Sequence, residues 1–144
     1  MTINLENTIA LVTGAAGGIG RAVCATMTDA GAKVIATDIA DKPDDLVAEA
    51  YYKHDVTSQE DWQKIADKIE SDYKQLDALV NVAGLSIVAS IEETSLSEWQ
   101  RVNGINVDSI LLSFHAMLPL LKKSGETRKG GASVVNFSSI AGQR

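Results

Sequence analysis

The chain has 144 residues, of which 45% are hydrophobic and 22% charged, the make-up of a single globular domain. A domain of this length buries roughly 68–70% of the surface its unfolded chain exposes. Its net charge of −6 and pI near 4.8 argue against nucleic acid or anionic membrane as partner, since both attract basic surfaces. The lone cysteine, Cys24, cannot form an internal disulfide, which fits a reducing, cytoplasmic setting. Its place in an apolar helical pattern favours a buried small hydrophobe over a reactive thiol. The start, MTINLENTIALVTG, lacks the basic and long apolar regions of a signal peptide, and no continuous apolar window is long enough to predict a membrane span.

Residues 9 to 38, IALVTGAAGGIGRAVCATMTDAGAKVIATD, are the organising stretch. The apolar run Ile9–Val12 predicts a strand and passes into a glycine-rich turn. A helix from about Ile19 to Asp29 follows, with Ile19, Val23 and Met27 on one face and Gly31 placed to end it. A second apolar strand, Val34–Ala36, leads to Asp38. Both strands are almost wholly apolar, as parallel strands covered on two faces should be. Strand, glycine turn, helix, strand and terminal carboxylate make a βαβ unit suited to a dinucleotide. Gly14 permits a tight turn, Gly18 a close approach of backbone to a pyrophosphate, and Gly20 close packing of the helix on the sheet. The unpaired N–H groups at the helix start, Ile19 among them, favour phosphate.

A loop and a short helix starting near Pro43 are expected next, then a strand at Tyr51–Lys53. Thr57 or Ser58 is placed to cap the following helix, whose apolar face is Trp62, Ile65, Ala66 and Ile69. Ala78–Val80 is a fourth strand and runs into Asn81-Val82-Ala83-Gly84. A polar, Ser-rich connection over 85–97 precedes a long helix from about Leu96 to Leu121. From Val102 onward that helix is apolar nearly all round, which predicts burial against the sheet and against a second helix layer, from this chain or from another subunit. His115 within it has no ligand partners at metal-binding spacing, and no metal site is expected. Lys122–Gly131 reads as a solvated basic loop, and Ser133–Phe137 as a fifth strand ending at Ser138-Ser139. The pattern is α/β: a doubly wound, Rossmann-like parallel sheet with every motif at its C-terminal edge.

The pieces Thr13-Gly14-Ala15-Ala16-Gly17-Gly18-Ile19-Gly20, Asp38, Asp55-Val56, Asn81-Val82-Ala83-Gly84, Asn106 in INVDSILL and Ser138-Ser139 in VVNFSSIAG occur in one order. In that order they resemble the short-chain dehydrogenase/reductase family. The resemblance implies that Asp38 accepts hydrogen bonds from the adenosine ribose hydroxyls, which favours NAD(H) over NADP(H). It also implies that Asp55 and the Val56 backbone hold adenine, and that Asn81, Ala83 and Gly84 shape the floor beside the nicotinamide ribose. Helix capping remains the other reading of Asp55. Arg21 lies near, but at a helix start it can point to solvent. The family's usual second Asn is Val82 here, read as a tolerated core-facing residue. Asn106 matches the catalytic asparagine of the proton relay. Ser139 matches the serine that orients an alcohol or ketone substrate, with Ser138 the alternative if the register differs by one.

The family's tyrosine and lysine acid/base pair, Y-x-x-x-K, has no match: the residues four beyond Tyr51, Tyr52 and Tyr73 are Asp55, Val56 and Asp77. Residues 1–144 are therefore expected to be the NAD-binding part of a longer enzyme, lacking its C-terminal strands and helices. Little or no turnover is expected from these residues alone, and a homo-oligomer or a complementing C-terminal segment is the expected partner. A non-catalytic NAD-binding or regulatory module, and a structural fragment that binds no dinucleotide, are the alternatives. Ser86–Ser90 and Gln143-Arg144 are candidates for the pocket border, but nothing in them names a substrate.

Overall fold

A computed structural model describes residues 3–140. Five strands form one parallel sheet in the order β3-β2-β1-β4-β5: β1 Ile9–Thr13, β2 Lys33–Asp38, β3 Ala50–Lys53, β4 Ala78–Asn81 and β5 Ser133–Asn136. The chain winds outward from β1 through β2 to β3, then crosses to β4 on β1's other side. A crevice opens between β1 and β4 at the C-terminal ends of the strands, where such sheets bind ligands. Gln143 and Arg144 lie outside the described residues.

Central strands read as apolar runs because both faces are covered. Leu11, Ile35 and Leu79 share one face and pack against Trp62, Ile65 and Ile69 of α2 (Gln59–Tyr73) and Met117 and Leu120 of α4 (Ser109–Thr127). Val12, Val34, Ala36 and Val80 share the other face, with Cys24 of α1 (Gly18–Asp29) in the same cluster. Burial raises the Cys24 thiol pKa to about 11, with a backbone hydrogen bond opposing, so it is the inert hydrophobe expected.

Most elements follow their local chemistry. Ser58 caps α2, its hydroxyl accepting from the Asp61 N–H at 3.1 Å, and Gly31 takes φ +97° just past the end of α1. Three expectations fail. No helix follows Pro43; instead the Leu46 N–H bonds the Pro43 carbonyl at 3.1 Å in a turn, and Leu46 plugs into the α1-side core. Lys122–Gly131 is not wholly loop, because α4 continues to Thr127. The long helix is also not uniform: α3 (Leu96–Asn103) passes into α4 through a π-helical turn at Gly104–Asp108. Residues 96–127 are long and apolar enough to cross a membrane by length and composition alone. Within them Met117, Leu120 and Leu121 pack into the core. Val107, Leu111 and Leu118 are exposed, so the burial expected on all sides is met only where α4 faces the sheet and α2.

Candidate dinucleotide cleft

The glycine turn after β1 is shaped by contacts that leave no room for side chains. Gly14 takes φ +65°, and a Cβ there would lie 2.6 Å from the Ala83 N. A Cβ on Gly20 would run into the Gly14 carbonyl, so its role is to seat α1 on the glycine turn itself rather than on the sheet. At Gly18 a Cβ would meet nothing within 4 Å, so the glycine leaves open space over the cleft. The helix it begins has no side-chain cap, which leaves first-turn N–H groups for an anion.

Thr13 couples the two walls. Its buried Oγ1 accepts from the Val82 and Ala83 N–H groups, each at 3.2 Å, fixing the segment after β4 against the segment after β1. Between these walls lies a cavity of about 420 Å³. Among the predicted residues Gly14, Gly18, Ile19, Gly20, Asp38, Asp55, Val56, Ala83 and Gly84 line it. The Asp38 carboxylate is held in place by the Ala16 N–H at 2.9 Å and the Ala40 N–H at 3.0 Å. Asp55 Oδ1 accepts from the Thr57 N–H at 2.9 Å and the Thr57 hydroxyl at 2.7 Å, so the residue shapes the entry to α2 while also bordering the cavity. Exposed Ile19 and Ile39 give the lining an apolar surface near Asp38, where a flat ring can lie.

Four expected residues stand outside the lining. Asn81 does not line the cavity; it is buried, with Nδ2 donating to Asn136 Oδ1 at 2.8 Å and Ser113 Oγ at 3.3 Å, and so ties β4 to β5 and α4. Asn106, in the π-helical turn, grips Leu85, which does line the cavity. Ser138 and Ser139 follow β5 at the same edge of the sheet and are exposed, outside the lining. Val82 packs on the α1-side core and also lines the cavity.

The sequence reading passed over His54 and Arg101, which also line the cavity. His54 is 2% exposed, stacks edge-on to Trp62 at 4.3 Å, and its Nδ1 lies 3.1 Å from Thr37 Oγ1. Thr37 Oγ1 donates to the Val12 carbonyl, which leaves it to accept from Nδ1–H. The buried Nε2 has no hydrogen-bond partner among the described residues. Burial lowers the His54 pKa to about 4, against the pull of Asp61 and Asp55, so the ring is neutral at physiological pH. The strand-end position next to Asp55 was the one signal for it. Arg101 carried none, because a helix-surface arginine is ordinary. No group of side chains suited to a metal occurs among the described residues.

The residues present fit a dinucleotide: a glycine-opened turn, an uncapped helix start, a positioned carboxylate and an apolar bed. Comparison with known proteins points the same way. A family model described as short chain dehydrogenase matches residues 8–144. An NADP-dependent (R)-specific alcohol dehydrogenase of Lentilactobacillus kefiri is 30% identical over 99% of this chain and 58% of its own length. A 3-alpha-(or 20-beta)-hydroxysteroid dehydrogenase of Mycobacterium bovis is 34% identical over 99% of this chain and 55% of its own. The structure of ligand-free Thermoplasma acidophilum aldohexose dehydrogenase superposes with a TM-score of 0.85 at 31% identity, over 97% of this chain and 52% of that one. The chain thus spans little more than half the length of these relatives. From the glycine turn to the segment after β5, residues 8–144 belong to the short-chain dehydrogenase family.

Proposed function

We propose that this chain forms the cofactor half of an NAD(H)-dependent oxidoreductase acting on an alcohol or ketone. The observation that carries the cofactor choice is Asp38, whose carboxylate is fixed at the end of β2 by the Ala16 and Ala40 N–H groups and faces the cavity. Each oxygen keeps a further lone pair for a ribose hydroxyl, while its charge opposes a 2′-phosphate.

The first turn of α1 would take the pyrophosphate, Asp38 the adenosine ribose, and Asp55 with Val56 the adenine. Ala83 and Gly84 would border the nicotinamide end. When bound, the nicotinamide supplies the hydride acceptor or donor. The chain's own residues hold and orient: Thr13 sets the position of Ala83, and Asn106 sets that of Leu85. Ser139 at the edge of the sheet would position the substrate oxygen. The proton would be handled by a tyrosine and lysine outside residues 1–144. The similarity to an alcohol dehydrogenase and a hydroxysteroid dehydrogenase supports this substrate class. The exposed Val107, Leu111 and Leu118 support association with a further copy or with more of the same polypeptide, and buried Cys24 suits a cytoplasmic setting.

Titration with NADH and NADPH tests the reading. The chain should bind NADH more tightly, and Asp38→Ala should move the ratio toward NADPH by about tenfold, the loss of one close charge. Failure to bind NADH, or an unaltered ratio, removes the proposal. The second reading is a non-catalytic NAD-binding module. NADH binding without turnover of any secondary alcohol, even in the full-length protein, would establish that reading instead.

A further inference from the structure

Two cations stand on elements that adjoin β2, Lys53 on β3 and Arg21 on α1, and each is engaged by an acid from the same loop. Lys53 is the direct register partner of Asp38 across β2 and β3. Paired residues of neighbouring strands stand about 5 Å apart and on one face of the sheet. Its Nζ is bound to Asp41 Oδ1 at 2.7 Å. Arg21 sits one turn into α1, its N–H bonded to the Gly17 carbonyl, directly behind the glycine turn. Its Nη1 contacts both Asp45 oxygens at 2.9 Å.

The loop that supplies these acids, residues 39–49, is a built element. Leu46 anchors its middle in the core, the Tyr51 hydroxyl donates to the Ala40 carbonyl at 2.8 Å, and the Glu49 N–H bonds the Val34 carbonyl at 2.9 Å. The turn from Pro43 to Leu46 sets Asp45 toward α1. Exposed pairs of this kind add little to stability, so their placement calls for a different account.

Resting on the NAD(H) reading of the cleft, we propose that Asp41 and Asp45 are cofactor-selectivity residues. They commit Lys53 and Arg21 to ion pairs away from the ribose end, so that neither is free to meet a 2′-phosphate beside Asp38. Lys and Arg side chains reach several ångströms, and an unpaired guanidinium or ammonium there would bind a phosphate dianion. Asp38 opposes the phosphate directly, and the two loop acids withhold the groups that would neutralise it.

The test compares NADH and NADPH dissociation constants, by quenching of protein fluorescence, for the wild-type chain and D41N/D45N. The double variant should bind NADPH about tenfold more tightly, with NADH affinity changed less than twofold. The gain should shrink in 0.5 M salt and vanish when R21Q/K53Q is added. D44N is the control, since Asp44 lies in the same turn but pairs with no cation among the described residues. An unchanged NADPH/NADH ratio in D41N/D45N, with NADH still bound, overturns the proposal. An equal gain from D44N also overturns it, because net charge alone would then suffice. A wild-type chain that binds neither nucleotide overturns the cofactor reading beneath it.

Discussion

Asn106 holds Leu85 by both of its backbone groups: Oδ1 accepts from the Leu85 N–H at 2.8 Å, and Nδ2 donates to the Leu85 carbonyl at 2.8 Å. A helix side chain thus mimics a neighbouring strand and extends the order of β4 past Gly84. The grip comes from a π-helical turn, a local widening often found at functional sites. It joins a cleft wall to the helix on which the proton relay is expected.

Replacing Asn106 with Ala should release that wall. The Leu85 amide should exchange with solvent at least tenfold faster, the loss of about 1.4 kcal/mol of local protection. Asn106→Asp keeps the acceptor and loses the donor, so it should fall between. Hydrogen exchange followed by mass spectrometry or NMR reads both. Unchanged Leu85 exchange in the alanine variant would mean that the contact carries no energy.

Thr13→Val removes the acceptor that Val82 and Ala83 share while conserving volume. Two N–H groups then lose their partner, at a cost of about 2 kcal/mol. For a domain of this size that lowers Tm by roughly 4–8 °C. NADH affinity should fall as well, because Ala83 lines the cavity. Thr13→Ser retains the hydroxyl and should restore most of both.

How much was legible in the sequence follows from which forces are local. The strands and the α2 face could be read because apolar periodicity reports burial directly, as Leu11, Ile35 and Trp62 show. The glycine turn and Asp38 could be read because each has one dominant physical role. The missing helix after Pro43 could not, since Leu46 is drawn into the core by tertiary packing that no local pattern records. The partner of Asn81 could not be read for a similar reason: an asparagine at a strand end serves a cleft or a neighbouring strand equally well, and its bond to Asn136 depends on the pairing of β4 with β5. The exposure of Val107, Leu111 and Leu118 is set by what packs on α4, which lies outside a local pattern altogether.

Asp77 should matter to stability and leave the cofactor alone. Its side chain is 2% exposed at the edge of the sheet opposite the cleft. Oδ2 accepts from the Ile9 N–H at 2.7 Å and meets Arg128 at 3.1 Å, while Oδ1 accepts from Ser124 at 2.6 Å and Gln75 at 2.8 Å. Asp77→Ala strands these donors and should cost about 3 kcal/mol in urea unfolding. NADH affinity of the folded protein should change less than twofold. A large affinity loss at full folding would show that the two edges of the sheet are coupled.

Acid stability should fall in two windows with different owners. His54 is kept neutral by burial, its pKa lowered to about 4, whereas in the unfolded chain it titrates near 6.5. Between those values the unfolded state binds a proton that the folded state refuses, so stability drops as pH falls, by on the order of 3 kcal/mol in all. Asp77 acts lower. Burial works to raise its pKa, but the Ile9 N–H, Ser124, Arg128 and Gln75 together hold it below the usual carboxylate value. Its contribution is present above about pH 4 and is lost as pH falls through the lowered folded value. Urea midpoints taken from pH 7 to 3 should therefore slope twice. His54→Gln, which keeps a donor for Thr37 and cannot titrate, should flatten the segment between pH 6.5 and 4 and leave the steeper loss below it. Equal slopes in both proteins over the upper window would assign that loss to groups other than His54.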